Sequence, residues 1–239
     1  MQSNGTKRSI FQAREIHLTK TERAIQAIRD AVLRGTFQAD EQFSIVELAE
    51  RLGMSQTPVR EAVRALQAEG LLQQTPHHTI SAIPFTEQDI MDVFDLRVVL
   101  EGEATRLATP SLTADDFDEI AAILTQMRAT LRAADYSSIH RLNADWHLAI
   151  YRASNNPILI ETIMKLWRKF LWESLWSMPS HSQISLDQHE EILLALRARD
   201  ADRAARLMGM HLLHGQLSAV IFARDQRDGR HRSPTTSHS

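Results

Sequence analysis

The sequence predicts a mainly α chain in two parts, a small N-terminal domain built on a helical hairpin and a C-terminal all-α bundle. Three observations carry this. Residues 44–71 read as two short amphipathic helices joined at a glycine. Everything from about 86 to 224 has apolar residues at helical spacing, with no strand-like alternation. A length of 239 residues suits two domains.

In the hairpin, Ile45, Leu48, Ala49 and Leu52 fall at i, i+3, i+4 and i+7, one apolar face. Gly53 supplies the turn, and Met54 can pack inward between the helices. Ser55 is a good N-cap, and Pro58 sits early enough to lack only a donor that would be unpaired anyway. Val59, Ala62, Val63 and Leu66 make the inner face of the second helix, leaving Gln56, Thr57, Arg60 and Arg64 outside. This is the layout of a helix-turn-helix, whose second helix enters the DNA major groove with its first residues facing base edges. An ordinary solvated hairpin is the competing reading. The agreement of turn glycine, cap, early proline and polar tip favours the DNA-binding one.

Behind a break near Pro84, helices are expected near 86–109, 113–133, 137–153, 157–177, 183–198 and 201–224. Thr113 with Asp116 makes a capping pair, Asn155-Asn156-Pro157 is a breaker, and Asp200 caps the last helix. Residues 1–15 and 225–239 are polar and aperiodic, and read as disordered tails flanking domains at 16–84 and 85–224. The 43% hydrophobic content is that of a soluble globular protein, with no run long enough to span a membrane and no secretory signal. With no cysteine there is no disulfide framework and no thiolate zinc site, which fits a cytoplasmic address. Residues 1–85 hold 10 Lys/Arg against 9 Asp/Glu, while 86–239 hold 17 against 21. Charge alone therefore does not point to nucleic acid; the positive charge is local, at the second hairpin helix and the N-terminal tail.

The run SQTPVREAVRALQAEGLL (55–72) resembles the recognition-helix signature of the GntR family of bacterial transcription regulators. The resemblance implies a winged helix-turn-helix, with a first helix at about 20–34 ending in Gly35. It also implies a two-stranded β wing in 71–83, with Pro76-His77-His78 at the tip. By residue-for-residue correspondence, DNA contacts fall to Ser55, Gln56, Thr57, Arg60 and His77, with Arg64 on a phosphate. The family usually has Arg at the place of Gln56; Gln suits adenine where Arg suits guanine. Ala39-Asp40 replaces the family's Pro-Gly before the first wing strand, and His78 or Thr79 stands for a wing glycine.

Three stretches of the second half, DLRVVLEGEATRLA (95–108), NADWHLAIYRASNNP (143–157) and QHEEILLALRARDADRAARLMGMHL (188–212), resemble the FCD effector domain of the FadR subfamily, in its shorter six-helix form. Asn143 and His147 are i and i+4, on one helical face. His189 and His211 each lie 11 positions from Asp200, so a helical hairpin would set them level. Geometry alone leaves metal binding and an ordinary core role evenly weighed; the resemblance favours a divalent metal, zinc or nickel, on Asn143, His147, His189 and His211. Asn143 stands where the family usually has Asp, and an amide oxygen is the poorer ligand. His140, His181, His214 and the tail histidines are assigned no ligand role. Arg97 either assists an acidic effector, as the family implies, or simply pairs with Glu101 along its helix. Trp167, Phe170, Trp172 and Trp176 read as core or dimer interface rather than effector box.

The expectation is a homodimeric regulator of operator DNA, a repressor released by a small carboxylate bound beside the metal. A metal-dependent enzyme is the rival class, but no general base with a place in a motif, Ser/His/Asp set or phosphate-binding glycine loop supports it. A metal-only sensor with a structural metal is the third reading.

Overall fold

The computed structural model describes residues 18–33, 37, 41–74, 79–83, 86–169, 175 and 178–231. The chain separates into two compact units, residues 1–84 and 85–239. The first contains α1 (Lys20–Leu33), β1 (Gln42–Phe43), α2 (Ile45–Leu52), α3 (Gln56–Ala68), β2 (Leu72–Gln74) and β3 (Ile80–Ala82). It is a helix-turn-helix with a small β wing.

α2 opens with a reciprocal capping box, in which the Ser44 hydroxyl accepts from Glu47 N–H and the Glu47 carboxylate accepts from Ser44 N–H. It closes with Gly53 at φ 61°, where Met54 N–H reaches Ala49 O at 2.9 Å and Gly53 N–H reaches Glu50 O at 3.1 Å. These two bonds satisfy the end carbonyls and turn the chain toward α3. The same device ends α3: Gly70 has φ 74°, and Leu71 N–H bonds Leu66 O at 2.9 Å. α3 buries Val59, Ala62, Val63 and Leu66, against which Ile28 of α1 and Leu48 of α2 also pack. Arg29 clamps α1 to the end of α3 through two bonds to Glu69, of 2.9 and 2.7 Å.

The wing strands β2 and β3 pair antiparallel, Gln73 opposite Ser81. A third strand, β1, was not legible in the sequence; it pairs with β3, giving the order β1-β3-β2. Its single inward residue, Phe43, is buried. The wing tip, with Pro76, His77 and His78, lies outside the described residues, as do Gly35, Ala39-Asp40, Pro84 and residues 1–17.

The second unit is all helix among the described residues: α4 (Glu87–Ala108), α5 (Ala114–Arg132), α6 (Tyr136–Arg152), α7 (Pro157–Trp167), α8 (Pro179–Arg197) and α9 (Ala201–His231). Capping boxes Thr86/Asp89 and Thr113/Asp116 open α4 and α5, and Asp200 accepts from Arg203 N–H at the start of α9. α7 ends at Trp167, well short of residue 177; Phe170, Trp172 and Trp176 lie outside the described residues. α8 begins at Pro179 rather than 183, because proline at the first turn costs no hydrogen bond. α9 continues to His231, past residue 224, where polar composition suggested a tail.

α4 and α9 run antiparallel side by side. Glu87 pairs with Arg224 at 2.8 Å, Gln216 bonds Met91 O at 3.2 Å, and a Cβ on Gly102 would lie 3.7 Å from Ala205 O. α8 and α9 form a hairpin whose joint holds Arg199 at φ 57°. Its guanidinium bonds Thr109 O at 2.7 Å and lies over Phe117, which offsets the left-handed backbone. No helix is long and apolar enough to cross a membrane among the described residues.

Gly53→Ala should destabilise the N-terminal unit by about 1 kcal/mol through backbone strain alone, since a Cβ there meets nothing within 4 Å. Urea unfolding monitored within that unit measures it, and an unchanged midpoint would contradict the turn assignment.

Candidate functional site

α3 offers the first candidate surface. Ser55, Gln56, Thr57, Arg60 and Arg64 are all exposed, while Pro58, Val59, Ala62 and Val63 are buried beneath them. Gln56, Arg60 and Arg64 recur every four residues, so they share a face. Among the described residues no carboxylate pairs with Arg60 or Arg64. Ser55 has the extended backbone of an N-cap (φ −70°, ψ 156°), but its side chain makes no capping bond. That hydroxyl stands beside the exposed helix N-terminus, a place suited to a phosphate oxygen. His77 lies outside the described residues.

The second site is inside the helical bundle. His147 of α6, His189 of α8 and His211 of α9 are buried, and each offers a nitrogen within 4.8 Å of the others. The hairpin sets His189 and His211 opposite each other, ring centroids 4.6 Å apart and planes tilted by 51°, because both are 11 residues from Asp200. His147 joins from the neighbouring helix at 5.3 and 5.2 Å. Asn143, one turn before His147, has a buried Oδ1 with no hydrogen-bond partner.

Hydrogen bonds around the cluster choose tautomers. Tyr151 donates its proton to Glu101 Oε2 at 2.7 Å, so it must accept from His147 Nδ1–H at 2.9 Å. His147 therefore keeps its lone pair on Nε2. His211 Nδ1 donates to Gln188 Oε1 at 3.1 Å, which leaves Nε2 as its lone-pair atom too. His189 has no partner on either nitrogen; its ring lies against Trp146, centroids 4.1 Å apart. Burial, then the His211 imidazole and Arg97, hold His147 well below the ordinary histidine range. Burial and the other histidines do the same for His189 and His211, with Arg97 also bearing on His211. Neutral imidazoles with a free lone pair are the form that binds a divalent metal, and buried nitrogens without partners are what such an ion would satisfy. The donor set fits the group.

Arg97 is committed to Glu101. Its Nε donates at 2.6 Å, and both side chains are buried. Glu101 Oε1 also accepts from Trp167 Nε1 at 2.9 Å. Burial and the Glu101 charge push the Tyr151 phenol well up, so it remains a proton donor. Sequence reasoning missed Tyr151, Trp167 and Gln188 as supports. Tyr151 is i+4 from His147 and was findable by the spacing that singled out Asn143; Gln188 and Trp167 carried no such signal.

With this geometry in view, family and structural comparisons agree. The description "Bacterial regulatory proteins, gntR family" matches residues 20–78, and "FCD domain" matches residues 92–214. The chain belongs to the GntR family of bacterial regulatory proteins, with an FCD domain as its second part. It is 30% identical over 203 residues to the "Probable D-xylose utilization operon transcriptional repressor" of Paenarthrobacter nicotinovorans, covering 82% of this chain and 88% of that one. It is 28% identical over 192 residues to the transcriptional regulator McbR of Escherichia coli K12, covering 78% and 86%. The solved structure of E. coli McbR/YncC superposes with a TM-score of 0.69 at 26% identity, over 87% of this chain and 99% of that one. The protein is a transcriptional regulator of the GntR/FCD type.

Two outcomes are expected. The unfolded chain protonates its histidines near pH 6.5, while the buried three stay neutral when folded. Acidification below about pH 6.5 therefore favours the unfolded state, by up to about 1.4 kcal/mol per pH unit for each histidine that stays neutral. Thermal melts of metal-free protein from pH 7.5 to 5.5 should show a falling Tm; a flat profile would contradict burial of the cluster. Separately, Tyr151→Phe leaves His147 Nδ1–H and Glu101 Oε2 each one bond short. It should cost about 1–3 kcal/mol of stability and about 10–100-fold in metal affinity, read by urea unfolding and chelator competition.

Proposed function

We propose that the protein is a homodimeric, ligand-responsive repressor of the FadR subfamily, acting in the bacterial cytoplasm. In this reading its helical unit holds zinc or nickel on His147, His189 and His211, with Asn143 as an oxygen ligand. The observation that carries the ligand-responsive part is the buried cluster of three neutral imidazoles within 4.8 Å, two with tautomers set by neighbours. A divalent ion there supplies a Lewis-acidic position to which a small carboxylate can bind. Arg97 is buried close enough to depress His147 and His211, so its charge favours an anion at the cluster while its Nε holds Glu101. The E. coli relative GlaR, 26% identical over 200 residues, carries the name of a transcriptional repressor, which supports that sign of regulation.

Two helices support a dimer. α4 leaves Leu96 and Val99 exposed, and its neighbour α9 exposes Met210, Leu213, Leu217 and Ile221 at turn-by-turn spacing. Apolar side chains repeated on one helix face are a surface that a second copy would cover. Effector binding then shifts the population between placements of the two DNA-reading units. Reversing occupancy requires about 5 kcal/mol of discrimination between them.

A purely structural metal is the second reading, favoured by burial of the whole triad. The deciding experiment measures operator affinity of metal-loaded and chelated protein with and without carboxylic acids. Metal-dependent release of DNA by an acid supports the effector reading. Loss of fold on chelation with no response to any acid supports the structural one. Arg60→Ala should weaken operator binding at least tenfold while leaving the Tm of the helical unit unchanged, measured by fluorescence anisotropy and thermal melts. Full operator binding by that variant would remove α3 as the reading helix.

A further inference from the structure

A polar seam extends the histidine cluster along the same two helices. On α8, His181, Ser185 and His189 recur every four residues and stack along one face. On α9, His211, His214 and Ser218 share a face at i, i+3 and i+7. The faces meet twice: His189 and His211 lie 4.6 Å apart by ring centroid, and His181 and His214 lie 5.2 Å apart with rings within 5° of parallel. The two pairs are electrostatically in touch, since charge on His181 or His214 would bear on His211.

Part of the seam is self-satisfied. Ser218 donates to His214 O at 3.1 Å and is bonded to His181 Nδ1 at 3.0 Å. Beyond the two nitrogens of His189, two further buried atoms in it have no partner, Ser185 Oγ and His214 Nε2. Leaving such groups unpaired costs about 1–3 kcal/mol each, where apolar residues would cost nothing. They are also neither metal ligands of the triad nor supports of its tautomers. His214 is only half-buried, so this end of the seam lies nearer the surface than the triad, which is buried throughout.

The seam's chemistry is neutral. Burial holds His181 down to about 4 and lowers His214 as well, and the buried guanidinium of Arg97 has its Nε on Glu101. A second carboxylate arriving there would be desolvated beside uncharged groups. A hydroxyl both donates and accepts, and so can satisfy a serine hydroxyl and an imidazole nitrogen together. Ser185 is one turn, about 6 Å along the axis, from His189, within reach of a short aliphatic chain anchored at the cluster.

We propose that the effector is a hydroxycarboxylate, whose carboxylate sits at the metal on His147, His189 and His211 while a hydroxyl farther along its chain is read by Ser185 and His214. This rests on the metal-linked effector reading above. Two residues without a ligand role in the sequence thereby become specificity-determining.

The test is calorimetric titration of zinc-loaded full-length protein with three matched acid series of three to five carbons: plain monocarboxylates, the same acids with a terminal hydroxyl, and dicarboxylates. At the best chain length the hydroxy acid should bind at least about tenfold tighter than its plain partner, and the diacid no tighter than the plain acid. The double variant Ser185→Ala, His214→Phe keeps a ring against His181. It should bring the hydroxy-to-plain ratio close to one with plain-acid affinity unchanged and Tm no lower, since both unpaired polar atoms are removed. A diacid that binds tightest, or a ratio untouched by the double variant, overturns the proposal while leaving the metal-linked effector reading intact. Absence of zinc-dependent binding by every acid overturns both.

Discussion

Glu101 is a fully buried carboxylate, and much of the helical unit is arranged so that its charge can stay there. Arg97 one turn earlier supplies the counter-charge at 2.6 Å, while Trp167 and Tyr151 donate to its two oxygens. An isolated buried ion would cost several kcal/mol; paired and hydrogen-bonded, it becomes a fixed dipole that orients everything touching it. Tyr151 touches it, and through Tyr151 so does His147. The ion pair on α4 therefore sets which nitrogen of an α6 histidine keeps its lone pair.

The cluster pulls the other way. Three desolvated imidazoles lose their protons readily, and two nitrogens of His189 and the Asn143 oxygen are left without partners. Such an arrangement is poor as a core and good as a ligand set, because a cation would repay the lost hydrogen bonds and prefers neutral imidazole. Asn143 has a buried amide oxygen that carries no negative charge, and Glu101 stands behind Tyr151, one hydrogen bond removed from His147. In the proposed metal site, affinity would rest on tautomer control as much as on ligand count.

The N-terminal unit solves a simpler problem with local devices. Glycines at 53 and 70 take the left-handed backbone that ends each helix of the hairpin, and buried Val59, Ala62 and Leu66 hold α3 down by its inner face. Arg60 and Arg64 are thereby left on the outside by rotation about a helix axis, not by any contact of their own.

Local chemistry made much of this legible in one dimension. Helical period, capping pairs, turn glycines and Pro58 are written within a few residues of where they act, so Leu48, Val59, Thr113 and Asp200 could be assigned from the sequence alone. Equal spacing from Asp200 similarly put His189 level with His211, because a hairpin of two helices has a fixed rise per residue. The third strand was hidden, since two residues at 42–43 carry no alternation and are strands only because β3 offers them partners. Helix lengths at 167, 179 and 231 depended on flanking context rather than on period. What only the tertiary structure decided is which polar groups are shut away from water together. The linking of Arg97, Glu101, Tyr151 and His147, and the unpaired Ser185 and His214, joins residues tens of positions apart. Sequence period sets the face on which a side chain lies; only packing sets what that face meets and how strongly burial magnifies it.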